Sequence, residues 1–205
     1  MSPRAPSLAA LRREAADCRR CPLYARATQT VFGEGGRGGL MLVGEQPGDV
    51  EDREGRPFVG PAGRLLRELL VEAGVAEEPL YVTNAVKHFK WRPSGKRRIH
   101  DKPSWSEVKA CGHWLGLELA SARPALVVCL GATAAQALFG REARVGRLRS
   151  KRLELEGGQP ALVTMHPSAI LRADADREAR RRELVRDLEL ARELLRDVKG
   201  GKAAA

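Results

Sequence analysis

Leu40-Met-Leu-Val-Gly44-Glu45-Gln46-Pro47-Gly48-Asp49 is the stretch on which the fold turns. Four apolar residues run straight into a glycine and then into polar side chains. That is the pattern of a short, buried strand whose carboxyl end opens onto a site, as in open parallel α/β sheets. Gly44 and Gly48 permit unusual backbone angles and close approach of a ligand. Gly44-Glu-Gln-Pro-Gly48 matches neither a Walker loop nor a dinucleotide fingerprint, so phosphate cradling by a P-loop is excluded. Acid follows at Asp49, Glu51, Asp52 and Glu54, a placement in a basic chain that suggests chemistry more than phosphate binding.

Working outward, apolar runs at 80–83, 125–130 and 161–165 predict three more strands, two of which end in polar residues: Asn84 after the first and His166-Pro-Ser168 after the last. Helical spacing appears at 8–16 and at 62–73, where Leu65, Leu66, Leu69 and Leu70 share a face and Gly74 suits the C-terminal cap. Further helices are expected at 104–120, with Ser104 as N-cap, at 131–138, and at 174–198, with Leu184, Leu188 and Leu195 on the packing side. Residues 144–156 read as a ragged basic strand or hairpin. Four strands separated by helices predict a three-layer α/β/α sandwich around a central four-stranded, largely parallel sheet. One domain is expected over residues 1–198, with 1–7 a loose tail and 199–205 disordered.

The totals narrow the partners. The chain has 205 residues and a net charge of +10, which favours a polyanion, nucleic acid above all. No apolar signal core opens the chain and no run reaches the roughly 18 apolar residues of a membrane span, so a cytoplasmic monomer without membrane association is expected. In that setting four cysteines read as metal or redox ligands before disulfides. Cys18-Arg-Arg-Cys21 puts two thiolates on one tight turn, the bite that zinc or an iron–sulfur cluster takes. No strand precedes the pair, which disfavours thioredoxin-type catalysis. Cys129 lies in an apolar run and reads as a buried, inert thiol.

Asn84 to Pro103 holds seven Lys or Arg residues around Trp91 and Gly95, together with His88 and His100. Composition alone leaves it open whether this is a solvating loop or part of a site. Phe58, between two turn-forming segments, could plug the core or stack on a flat ligand. Asn84 could offer a donor and an acceptor to the edge of an amide-containing base.

Taken together, the strand ends bearing Glu45/Gln46, Asn84 and His166 resemble those of the uracil-DNA glycosylase superfamily. Cys18-x-x-Cys21, Val31-Phe-Gly-Glu-Gly35, Gly55-Arg-Pro-Phe-Val-Gly-Pro-Ala-Gly63 and Val82-Thr-Asn-Ala-Val-Lys87 are similar to its iron–sulfur branch. Gly95-Lys-Arg-Arg-Ile-His100 resembles the insertion that marks the X-type members, UdgX. The resemblance spans roughly residues 15 to 195. It implies that Phe58 stacks on a flipped uracil, that Asn84 bonds its pairing edge, and that His166 stabilises charge on a carbonyl oxygen. It implies further that His100 attacks the anomeric carbon, leaving the protein covalently attached to DNA, with Glu45 as proton acceptor and Gln46 and Asp49 positioning the sugar or a water. Cationic neighbours Lys96, Arg97 and Arg98 should favour the neutral, nucleophilic imidazole and, with Ser168, contact DNA.

The resemblance also implies a structural [4Fe-4S] cluster, held by Cys18, Cys21, His88 and Cys111. Here the chain departs from the branch, which has cysteine where this sequence has His88; Cys129 is the competing fourth ligand and zinc the competing metal. The leading expectation is therefore a uracil-DNA glycosylase that prefers single strands and traps itself on its product. The alternatives are an ordinary hydrolytic glycosylase, with His100 incidental, and a non-catalytic single-strand binder.

Overall fold

The structure is a computed structural model and describes residues 6–75 and 79–203. Helix α1 (Leu8–Ala15) and a 3₁₀ turn (Pro22–Ala25) precede strands β1 (Glu34–Gly35) and β2 (Leu40–Gly44). Then come α2 (Asp49–Glu54), α3 (Pro61–Glu72), β3 (Leu80–Asn84), the pair β4 (Trp91–Ser94) and β5 (Arg97–His100), and α4 (Trp105–Ala122). The second half runs β6 (Leu126–Leu130), α5 (Ala132–Phe139), α6 (Val145–Leu148), β7 (Leu153–Glu154), β8 (Pro160–Thr164), α7 (Ser168–Leu171) and α8 (Arg177–Ala203).

The main sheet has the order β1-β3-β2-β6-β8-β7. β3, β2, β6 and β8 are mutually parallel, and β1 and β7 close the two edges antiparallel. The four expected strands are the parallel core, but the sheet has six strands rather than four. The extra two are only two residues long and carry no alternation that a sequence pattern could register. Alternation along the parallel strands separates the two cores. Leu40, Leu42, Leu126, Val128, Leu130 and Leu162 pack with the leucines of α3 and α8, whereas Met41, Val43, Val127, Cys129 and Val163 pack with Leu115 of α4 and Ala134 and Ala135 of α5. Each fully buried Leu or Val in these layers contributes about 1.5–3 kcal/mol. α4 starts where expected, since Ser104 Oγ accepts from Glu107 N while Glu107 reaches back to Ser104 N at 2.6 Å.

Three local expectations are corrected. Residues 144–156 begin with the short helix α6, and the expected strand is confined to β7 at 153–154, which pairs antiparallel with β8. Helix α8 continues to Ala203, through the segment expected to be disordered, while residues 1–5 and 204–205 of the two expected tails lie outside the described residues. The basic stretch after Asn84 contains a two-stranded antiparallel hairpin, β4–β5, standing apart from the main sheet. Among the described residues no helix is long and apolar enough to cross a membrane.

Candidate active site

Parallel strands deliver their carboxyl ends to one edge of a sheet, and here they deliver Glu45 and Gln46 after β2, Asn84 at the end of β3, Gly131 after β6 and His166 after β8. Between them lies a cavity of about 880 Å³, also lined by Asp49, Phe58, His100 and Ser168. Eight of the sequence-predicted site residues therefore share one concavity. Lys96, Arg97 and Arg98 do not line it.

The hairpin brings His100 to Glu45: His100 Nε2 stands 3.1 Å from Glu45 Oε1, with the ring half exposed. The other carboxylate oxygen of Glu45 accepts a hydrogen bond from Thr133 on α5. Burial alone would raise the Glu45 pKa, but the bonds from His100 and Thr133 outweigh it and hold the carboxyl below its usual value. His166 is fixed differently. Its Nδ1 accepts from the Ser168 backbone N–H at 3.1 Å and lies 2.8 Å from Ser168 Oγ. An N–H donor at Nδ1 requires that nitrogen to be unprotonated, so the neutral ring carries its proton on Nε2. Burial pushes the His166 pKa down to about 4, which keeps the ring neutral at physiological pH. Phe58 lies nearly parallel to His166, centroids 6.1 Å apart and planes inclined by 27°. Phe58 holds a positive φ of 56°, uncommon for a side chain of that size, with its carbonyl accepting from Arg67 at 2.8 Å.

A profile of the uracil DNA glycosylase superfamily matches residues 32–189. The chain belongs to this superfamily. It is 38% identical over 181 residues to the type-4 uracil-DNA glycosylase of Thermotoga maritima, covering 87% of this chain and 90% of that one. It is 38% identical over 167 residues to the type-4 enzyme of Archaeoglobus fulgidus, covering 78% and 80%. The type-5 uracil-DNA glycosylase of Thermus thermophilus is 32% identical over 148 residues, covering 63% and 64%.

Within this glycosylase-superfamily fold, several expected roles shift. The Gln46 amide is fully engaged with the chain on either side of the hairpin: Nε2 donates to the carbonyls of Lys90 and Asp101, and Oε1 accepts from Lys90 N. Gln46 thus anchors the base of the hairpin rather than offering its amide to a sugar or a base. Arg98 is no free DNA contact either. It is paired with Asp49 at 2.5 Å and Asp52 at 2.6 Å and lies over the Phe89 and Trp91 rings. Asp49, expected to position a sugar or water, also pairs with Arg53 at 3.1 Å. Of the three cations expected around His100, Arg98 is thus committed to carboxylates, and the charged group in contact with the ring is Glu45. The acid at 49–54 is a helix, not a chemical loop: Asp52 accepts from Thr28 N, and Glu51 accepts from Gly48 N and Gly60 N, tying the β2 loop to the start of α3.

Cys18, Cys21, Cys111 and His88 are all buried. The neighbouring Cys111 thiol, and after it the His88 ring, lower the Cys21 pKa to about 4 against the burial that would raise it. Cys18 Sγ accepts from Trp114 Nε1 at 3.1 Å, and Cys111 Sγ from Lys87 N at 3.4 Å. His88 Nε2 lies 2.9 Å from Thr30 Oγ1, while its buried Nδ1 has no hydrogen-bond partner. Among the described residues no group of three or more His, Cys, Asp or Glu side chains closes on a single metal ion. Three buried thiols and an unpartnered buried imidazole nitrogen nevertheless form a donor set that suits a polynuclear cluster, whose ligands stand further apart than those of one ion. Cys129 packs with Met41 and Val43 instead, and burial pushes its thiol up to about 12.

Thr133 went unassigned in the sequence, although it follows Gly131 at a strand's carboxyl end and the rule that flagged Glu45, Asn84 and His166 would have flagged it too. Gly44 matters because of what it lacks. A Cβ there would lie 2.4 Å from Asn84 Oδ1 and 2.6 Å from Phe58 Cζ. Gly44→Ala should therefore displace two cavity walls and slow single-turnover base release by about 10²-fold, the effect of roughly 1 Å of misplacement. Release at the wild-type rate would show that neither side chain needs its present position.

Proposed function

We propose that this chain excises uracil from DNA, single strands preferred, and becomes covalently linked to the abasic sugar through His100. The observation that carries this reading is the His100–Glu45 pair at 3.1 Å, set on the wall of the cavity that holds Phe58, Asn84 and His166. The type-4 glycosylase relatives supply the substrate class.

The residues fit the chemistry. Extruding a base costs a few kcal/mol, and a stacking face with edge contacts offsets it; Phe58 offers the face and the Asn84 carboxamide the edge. As the C1′–N1 bond breaks, its electron pair leaves with uracil and the sugar becomes cationic. Neutral His166, donating from Nε2, stabilises the anion forming on a carbonyl oxygen, a preorganised donor needing no reorganisation. Ionised Glu45 stabilises the sugar cation. One nitrogen of His100 gives its lone pair to C1′, and the proton on the other passes to Glu45, which its hydrogen bonds keep ionised until then. Cys18, Cys21, His88 and Cys111 would hold a structural iron–sulfur cluster that ties the N-terminal segment to α4. No step of the reaction passes through it. Iron and acid-labile sulfide in brown purified protein would support the cluster; zinc in colourless protein would replace it.

The test is a denaturing gel after mixing the protein with a uracil-containing oligonucleotide. A protein–DNA band that survives denaturation is expected. Free abasic product alone would make the chain an ordinary hydrolytic glycosylase, and neither product would leave only strand binding. Glu45→Gln removes the proton acceptor and should slow adduct formation by about 10²-fold, the lower end of general-base effects, while uracil-DNA affinity stays near that of wild type. An unchanged adduct rate would remove Glu45 from the mechanism.

A further inference from the structure

Cations with no carboxylate partner among the described residues gather beside the hairpin, away from the cavity floor. Arg19, Arg20 and Arg26, around the 3₁₀ turn, are exposed, as are Arg92, Lys96 and Arg97 on the hairpin. Among the described residues none of the six is in an ion pair, whereas nearby Arg98 and Lys90 are each committed to carboxylates. Two aromatics stand among them. Tyr24 is 43% exposed, one of three large exposed apolar side chains among the described residues, with Arg19 lying 5.7 Å over its ring. Trp91 carries Arg26 at 4.5 Å, and its indole N–H donates to the Arg26 carbonyl at 2.9 Å. That last bond fuses the 3₁₀ turn to the hairpin as one surface. Trp91 is also the register partner of His100 across β4–β5, so the surface begins where the cavity ends.

We propose that Arg19, Tyr24, Arg26 and Trp91, continuous with Arg92 and Arg97, form a track for the single strand flanking the target nucleotide. This deepens the uracil reading and rests on it for the position of that nucleotide. The recognition chemistry is general. Unstacked bases lie on aromatic faces and on guanidinium planes, every base has such a face, and the interleaved cations follow the phosphates. A duplex keeps its bases stacked inside and cannot use Tyr24 in this way. An exposed tyrosine under Arg19 and a tryptophan under Arg26, neither arginine paired with a carboxylate among the described residues, are arranged as that track requires.

The test separates this surface from the cavity by using DNA without uracil. Fluorescence anisotropy would measure binding to a uracil-free single strand of about a dozen nucleotides, long enough to leave the cavity region. Tyr24→Ala should weaken binding about tenfold, and Tyr24→Phe should restore it to within about twofold of wild type, since the ring and not the hydroxyl stacks. Arg26→Gln, which leaves the backbone carbonyl holding Trp91 in place, should lower the slope of log affinity against log salt by about 0.7, one phosphate contact on a single strand. Uracil release from a trinucleotide, which ends before Tyr24 on a track that starts at Trp91, should be unchanged in Tyr24→Ala and Tyr24→Phe. Wild-type affinity in Tyr24→Ala, or losses on the trinucleotide equal to those on the long strand, would overturn the track. Normal strand binding by wild-type protein that releases no uracil would instead overturn the cavity's assignment.

Discussion

His100→Ala is expected to abolish the denaturation-resistant protein–DNA band and to yield free uracil and an abasic strand over repeated turnovers. The expectation follows from what the ring touches. His100 is half exposed, its polar partner is Glu45, and its ring neighbour is Phe89 at 6.3 Å between centroids, so its removal leaves the cavity walls standing. Phe58, Asn84 and His166 stay on the cavity wall, so the base binding and departure proposed for them should persist. The volume left beside Glu45 admits water, and Glu45, still oriented by Thr133, can accept that water's proton as it would have accepted the proton of the imidazole. Capture of the sugar cation thus passes from the protein to solvent. A denaturing gel and a uracil-release assay on the same samples read both halves of the result. Loss of excision together with loss of the band would make His100 part of the base-release machinery rather than the trap.

The difference between what the sequence showed and what it concealed lies in the range of the interactions. β2, β3, β6 and β8 were legible because strands within a parallel sheet are near-continuous apolar runs, and three of the four lead into a polar residue that opens the site. The ends of those runs also marked Glu45, Asn84 and His166. The β4–β5 hairpin was hidden under its charge. Its signal was present all the same: Gly95, at φ 56°, sits first in a two-residue turn between paired Ser94 and Arg97, the place where hairpins favour glycine. What local patterns do not show is which distant groups a polar side chain meets. Arg98 reads as a DNA contact until Asp49 and Asp52, nearly fifty residues away in the chain, neutralise it. Gln46 reads as a ligand-binding amide until it is found bracketing Lys90 and Asp101. Parallel-sheet topology makes both contacts, because it folds the β2 loop and the segment after β3 onto the same edge.

Lys87→Met is the substitution expected to damage the fold most. Lys87 and Glu118 are fully buried, with Nζ 2.5 Å from Glu118 Oε2 and donating also to Thr83 Oγ1 at 2.6 Å and to the Asn84 carbonyl at 2.7 Å. Glu118 in turn accepts from Gly33 N at 2.9 Å and Tyr81 Oη at 3.0 Å, and burial followed by the Glu118 charge raises the pKa of that tyrosine. Methionine fills most of the volume but leaves a carboxylate without its cation in an apolar interior. Breaking such a pair from one side costs about 3–5 kcal/mol. In a chain of this length that lowers Tm by roughly 6–20 °C. The double variant Lys87→Met/Glu118→Leu removes both charges, and the two changes share one network, so their effects should not add. It should recover part of the loss, and thermal melts of the three proteins measure how much. Lys87 also links two regions of the molecule, since its side chain holds the carbonyl of Asn84 while its backbone N–H donates to Cys111. The recovered double variant should therefore still release uracil more slowly than wild type, because the Asn84 carbonyl loses the Lys87 ammonium in it. A single variant that melts within about 1 kcal/mol of wild type would show that water or a shifted side chain compensates Glu118, and that the buried pair is not what fixes the end of β3.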